Sequence, residues 1–122
     1  MKKLKIALIA STNADIRKRF SGLFERIGVS YILESDRTNA VARIMEVPVK
    51  LLIADMLFEK ENGLDFLSIV KKVRPRLPII AVTDDPSEEG INRLLDKGVL
   101  TCLVQPIDEK EIIEIVGTAM EM

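Results

Sequence analysis

Four short apolar runs, each halted by a polar residue, constrain the fold of this chain more than any other feature. Ile6 to Ala10 stops at Ser11-Thr12-Asn13, and Leu51 to Ala54 stops at Asp55. Ile79 to Val82 stops at Thr83, and Cys102 to Val104 stops at Gln105-Pro106. Runs without polar alternation are what strands buried on both faces require. Val29 to Leu33 is a further strand candidate.

Between the runs, apolar residues recur at three- and four-residue steps, the period of a helix with one buried stripe. Ile16, Phe20, Leu23, Phe24 and Ile27 predict a first helix, capped by Asn13 or Thr12 and stopped by Gly28. Ser35 or Asp36 starts a second, carrying Ala40, Val41, Ile44 and Met45 and ending before Pro48. A polar loop from Glu59 to Gly63 leads to Leu64, Phe66, Leu67, Val70 and Val73, and Pro75 and Pro78 close that third helix. Asp85-Pro86-Ser87-Glu88 predicts a helix start with Asp85 as cap, followed by Ile91, Leu94 and Leu95 and a stop at Gly98. Asp108 and Glu111 form a second capping box, before Ile112, Ile115, Val116 and Ala119.

Five alternations of strand and helix predict an α/β fold: right-handed crossovers and a parallel sheet covered by helices on both faces. In such sheets, sites form beyond the carboxyl ends of the strands. Ser11, Thr12, Asp55, Thr83 and Gln105 all stand at those ends, so topology predicts that they meet. The apolar residues outside the inward stripes, Ile113, Met120, Val99 and Leu100, are expected at the surface.

The 122 residues suit one domain, 1–122. A net charge of −1, from 18 basic and 19 acidic residues, gives no field that would draw nucleic acid or an anionic membrane. With no histidine and one cysteine, Cys102, a cysteine–histidine zinc site and an intrachain disulfide are excluded. A lone thiol fits a cytoplasmic setting. The opening Lys2-Lys3 and the apolar residues after it suggest a signal peptide only superficially, because Ile6 to Ala10 is shorter than an export segment needs. No run approaches the ~20 apolar residues that span a membrane.

Three pieces together resemble the receiver (CheY-like) domain of response regulators: Asp55 followed by Gly63, the run Leu77-Pro78-Ile79-Ile80-Ala81-Val82-Thr83, and Leu103-Val104-Gln105-Pro106. Gly98 also stands where that family ends its fourth helix with glycine, and the resemblance covers Leu4 to Met120. It implies a flavodoxin-like (βα)5 fold with a five-stranded sheet in the order 2-1-3-4-5. It implies that Asp55 matches the phospho-acceptor, and that Thr83 matches the hydroxyl residue facing the phosphoryl group. Pro106 matches a cis proline.

Several positions depart from the family pattern. Gln105 stands where the family has lysine, and Ser11 and Thr12 stand where two acids help to hold magnesium. Cys102 replaces an aromatic switch residue, and Glu59 falls where many members carry proline. Magnesium takes carboxylate oxygens in near-octahedral geometry, and here Asp55 is the one expected carboxylate left. Magnesium binding is therefore expected to be weak or absent, with no metal site and no other cofactor. Phosphoryl transfer depends on cations at the developing charge, and these are lacking. The losses compensate one another, since two fewer acids leave less repulsion for a lysine to offset. The expected site is neutralised and held by hydrogen bonds from Ser11, Thr12, Thr83 and Gln105 to Asp55.

The function expected is that of an atypical, non-enzymatic receiver in two-component signalling, a protein-interaction module with little or no phosphorylation. Its partner would be a protein, or a second copy of the chain, on the helix 4–strand 5–helix 5 face, a pairing face in the family. A phospho-accepting receiver using Asp55 with relaxed metal dependence is the alternative. A third reading, anion or flavin binding where Ser11-Thr12-Asn13 precedes a helix, resembles flavodoxin phosphate loops but lacks their glycine.

Overall fold

The computed structural model describes residues 5–57 and 63–121. The elements are β1 (Ile6–Ala10), α1 (Ala14–Ile27), β2 (Ser30–Glu34), α2 (Arg37–Glu46), β3 (Val49–Asp55), α3 (Gly63–Val73), β4 (Ile79–Thr83), α4 (Glu88–Asp96), β5 (Thr101–Val104) and α5 (Glu109–Glu121). All strand pairs are parallel and the order is β2-β1-β3-β4-β5, as the family resemblance implied. The polar loop from Glu59 to Asn62, and the residues before Lys5, lie outside the described residues.

Helices cover both faces because successive strand side chains point to opposite sides. On one face Ala7, Ile9, Leu51 and Ile53 meet Phe20 and Phe24 of α1 and Ile112 and Val116 of α5. On the other, Leu8, Ala10, Leu52 and Ala54 meet Ala40 and Ile44 of α2, Phe66 and Val70 of α3 and Leu94 of α4. Every residue of β4 is buried, and β3 is buried except at Lys50. The helix at the amino end starts on Asn13, whose Oδ1 accepts the Asp15 and Ile16 amides, and stops at Gly28 in the left-handed region.

Burial departs from the sequence stripes at the helix margins. Ile27, Met45 and Leu95 are exposed, each in the last turn of its helix, whereas Phe24, Ile44 and Leu94 of the same turns are buried, so the buried stripe is narrower there than the apolar pattern. Val99 and Met120, expected at the surface, are buried: Val99 turns into the face under α4, and Met120 closes the end of the α5 core. Ile113 and Leu100 are exposed as expected. The cap of α4 is Ser87, not Asp85: Ser87 Oγ accepts the Gly90 amide, while Asp85 stands two residues earlier and accepts the Ser87 amide. Among the described residues, no helix is long and apolar enough to cross a membrane.

Candidate functional site at the carboxyl ends of the strands

The register of the sheet brings the polar strand ends side by side. Ala10 of β1 lies opposite Ala54 of β3, so Ser11 follows at the level of Asp55. Asp55 lies opposite Val82 of β4, and Thr83 lies opposite Val104 of β5. The ladders continue past the strand ends: the Ser11 amide donates to Glu34 O, the Met56 amide to Val82 O and the Gln105 amide to Thr83 O. The predicted convergence is thus fixed by backbone pairing.

Asp55 is 2% exposed and Ser11 is fully buried. Ser11 Oγ donates to Asp55 Oδ2 at 2.7 Å and accepts the Asn13 amide at 3.0 Å. Asp55 Oδ1 accepts the Leu57 amide at 3.0 Å. Among the described residues each carboxylate oxygen therefore has one partner, and the Ser11 hydroxyl both donates and accepts. Arg17 on the first turn of α1 donates to Ser11 O at 2.9 Å, which ties the β1–α1 loop to the helix.

The side chains expected to join this network divide. Thr83 is buried, and its Oγ1 accepts the Asp85 amide at 3.1 Å instead of bonding Asp55. Gln105 is half-buried and Thr12 exposed, and neither is among the hydrogen-bonding partners of Asp55. The expectation of four donors to Asp55 is corrected to one of those four, Ser11, plus a backbone amide. The reason is geometric: Ser11 lies in line with β1, whereas Thr12 turns outward with the loop. The Gln105–Pro106 peptide is cis. Cys102 is half-buried on β5, and burial raises its thiol pKa.

A second chain of bonds leads away from Thr83. Asp85 Oδ1 accepts the Ser87 amide at 2.9 Å, and this contact holds the Asp85 carboxyl below the usual range. A methyl group on Gly90 would come within 2.3 Å of Asp85 Oδ2. The β4–α4 loop is thereby folded onto the first turn of α4. Met56, Leu64, Thr83, Asp85, Gly90 and Arg93 border a groove of about 170 Å³ beside it. That is below the ~300 Å³ at which small-molecule sites begin. Sequence patterns gave no sign of the Leu57 amide or of Arg17. The Asp-Pro-Ser-Glu-Glu-Gly stretch did carry a turn signal for the second chain of bonds.

The sequence model of the response regulator receiver domain matches residues 7–117. The DNA-binding transcriptional regulator NtrC of Bradyrhizobium sp. (strain RP501 Parasponia) is 29% identical over 113 residues, which are 93% of this chain and 24% of that protein. The transcriptional regulatory protein DcuR of Escherichia coli (strain K12) is 26% identical over 100 residues, 82% of this chain and 41% of that protein. The chain therefore spans a quarter to two fifths of the length of these relatives. Among solved structures, a response regulator receiver domain protein (CheY-like) from Methanospirillum hungatei JF-1 superposes with a TM-score of 0.87 at 21% identity, covering 98% of this chain and 95% of that one. Chemotaxis protein CheY4 of Vibrio cholerae superposes with a TM-score of 0.85 at 18% identity, covering 96% and 99%. These two likenesses concern the fold.

Proposed function

This chain belongs to the response regulator receiver domain family, and from that premise we propose that it is an atypical receiver, a non-enzymatic module of two-component signalling that works by binding a protein partner with little or no phosphorylation. One observation carries this: the Asp55 carboxylate is buried and already engaged, by the Ser11 hydroxyl on one oxygen and the Leu57 amide on the other.

The donor set suits a hydrogen-bonded carboxylate better than a divalent cation. Magnesium selects hard oxygen ligands and is commonly held through one or two carboxylates plus phosphate oxygens. Here Asp55 supplies a single carboxylate, and Ser11, just after β1, donates a hydrogen bond to it. Among the described residues, no three acidic or cysteine side chains gather as a metal cluster would need. A phosphoryl group on Asp55 would have to displace Ser11. It would find a neutral amide at Gln105 where charge stabilisation is required.

Without a phosphorylated centre, 1–122 acts as one receiver-like unit held in a single state. Its partner is another signalling protein, met on the face formed by α4, β5 and α5. Leu100 and Ile115 line a groove there with Thr101, Glu114 and Thr118. Leu95, Leu100 and Ile113 expose apolar surface on the same three elements and their junctions. A second copy of the chain is the other occupant of that face. The setting is cytoplasmic, which suits a free thiol.

The test is the intact mass of the protein after acetyl phosphate, with and without magnesium, beside Asp55→Asn. No added phosphoryl mass is the expected result. A magnesium-dependent adduct that disappears in Asp55→Asn would overturn the proposal and make this a phospho-accepting receiver with relaxed metal needs.

A further inference from the structure

At the opposite end of the sheet from Asp55, Lys50, Arg74 and Arg76 line one cavity of about 340 Å³, with Leu77 and Pro78 as its apolar wall. We infer that this cavity is a binding site for a small phosphate-bearing ligand, independent of the switch end. Among the described residues, three cations and no acid line it. The chain between Asp65 and Asp84 carries Lys71, Lys72, Arg74 and Arg76 without one acidic residue. The near-zero net charge of the whole chain conceals this local excess.

Two features place the cations deliberately. The first is an irregularity in the central strand. Ile6 pairs with Val49 and Ala7 pairs with Leu51, so the ladder skips Lys50. Such bulges re-aim a side chain, and Lys50 is the exposed residue of an otherwise buried β3. The second is the rigid turn Pro75-Arg76-Leu77-Pro78. Two prolines restrict its backbone, and Lys71 Nζ donates to Pro75 O at 3.2 Å and to Leu77 O at 3.4 Å. The backbone that carries Arg76 is thus held in place before binding, while the Arg76 side chain itself is exposed. Arg74 forms the floor: its Nη2 donates to Val49 O at 2.8 Å and its Nη1 approaches Ile44 O at 3.5 Å. A guanidinium has five N–H donors, so donors remain for a ligand beyond these two bonds.

Planar guanidinium forks and an ammonium around one cavity match the oxygens of a phosphate dianion. The volume lies at the small end of ligand sites, room for a phosphate and a modest organic body against Leu77 and Pro78.

The experiment is an amide-resolved NMR titration of the whole chain with inorganic phosphate and, separately, with adenosine monophosphate, against sodium chloride at matched ionic strength. Saturable shifts at Lys50, Arg74, Arg76 and Leu77, with Ser11 and Leu57 unmoved, are expected. Tighter binding of the nucleotide would assign the site to organic phosphates, and equal binding to the phosphate group alone. Lys50→Gln and Arg76→Gln should each weaken binding by about tenfold. Lys72→Gln, which removes the same charge from an exposed position outside the cavity lining, should weaken it far less. Non-saturating shifts, or a Lys72→Gln loss equal to that of Arg76→Gln, would show diffuse attraction and refute the site.

Discussion

Replacing Ser11 by alanine tests the buried bond at its source. The change removes the hydroxyl that donates to Asp55 Oδ2 at 2.7 Å, and Asp55 is 2% exposed, so water cannot readily replace the lost donor. A hydrogen bond to a charged group contributes ~1.5–3 kcal/mol. The same hydroxyl accepts the Asn13 amide, which is part-buried, and its loss adds up to ~1 kcal/mol. The expected cost is therefore ~2–4 kcal/mol, a large share of the 5–15 kcal/mol typical of a whole domain. Urea unfolding at pH 7 reads it directly. With a slope of ~2 kcal/mol/M the midpoint should drop by ~1–2 M without a change in slope. The cycle with Asp55→Ala separates the pair from the rest, and the coupling energy should be ~1.5–3 kcal/mol. Asp55→Asn should cost less than Asp55→Ala, because its carbonyl oxygen still accepts from one of the two donors. A Ser11→Ala cost below ~0.5 kcal/mol, or a coupling energy of zero, would refute the idea that Ser11 holds Asp55.

Further outcomes follow from the same geometry. Ser11→Asp, Thr12→Asp and Gln105→Lys together should make the melting temperature magnesium-dependent and allow an acetyl phosphate adduct at Asp55, since crowded carboxylates repel until a cation offsets them; an inert triple variant would place the degeneration elsewhere. Gly90→Ala should be neutral to destabilising in the wild type because its methyl meets Asp85 Oδ2, but in an Asp85→Ala background it should stabilise by up to ~1 kcal/mol, the gain of alanine over glycine in a helix; urea midpoints of the four proteins decide. The Arg26 guanidinium hydrogen-bonds Glu109 and holds its carboxyl below the ordinary glutamate range. Because the folded value is depressed, the contribution is present above the unfolded pKa and is lost as pH falls through the folded one. Carbon-detected NMR should show the Glu109 titration move upward in Arg26→Gln. Burial raises the Cys102 thiol, so disulfide-reagent labelling at mildly alkaline pH should be slower in the native protein than in urea, and equal rates would contradict it.

The centre of the sheet was legible in the sequence because β1, β3 and β4 are buried on both faces, which leaves uninterrupted apolar runs that helices of the same length rarely show, whereas the edge strands β2 and β5 are largely half-buried. β1 was legible to the residue. β3 and β5 extended beyond their apolar runs, because Val49 pairs with Ile6 across the bulge at Lys50 and Thr101 pairs with Ile80, which a hydrophobic pattern cannot register. Helix margins were misjudged for a related reason. Met45 and Leu95 follow buried Ile44 and Leu94 directly, and Ile27 follows buried Phe24 by three residues, yet all three are exposed, and an apolar pattern alone does not say how wide the buried stripe is.

At the site, the sequence by itself determined which groups stand at the strand ends: the order of the runs and their polar stops follow from composition along the chain, and the resemblance to the receiver family marks Ser11, Thr12 and Gln105 as departures from its acids and lysine. Which of them touch was decided by tertiary structure. The β1–β3 register puts Ser11 within 2.7 Å of Asp55, the loop after β1 turns Thr12 to solvent, and the fold of the β4–α4 loop gives Thr83 to the Asp85 amide. The bulge at Lys50 belongs to the same class. Hydrogen bonds form over a few tenths of an ångström and a narrow range of angles, so they depend on register, turn and bulge, which arise only when distant segments of the chain pack together.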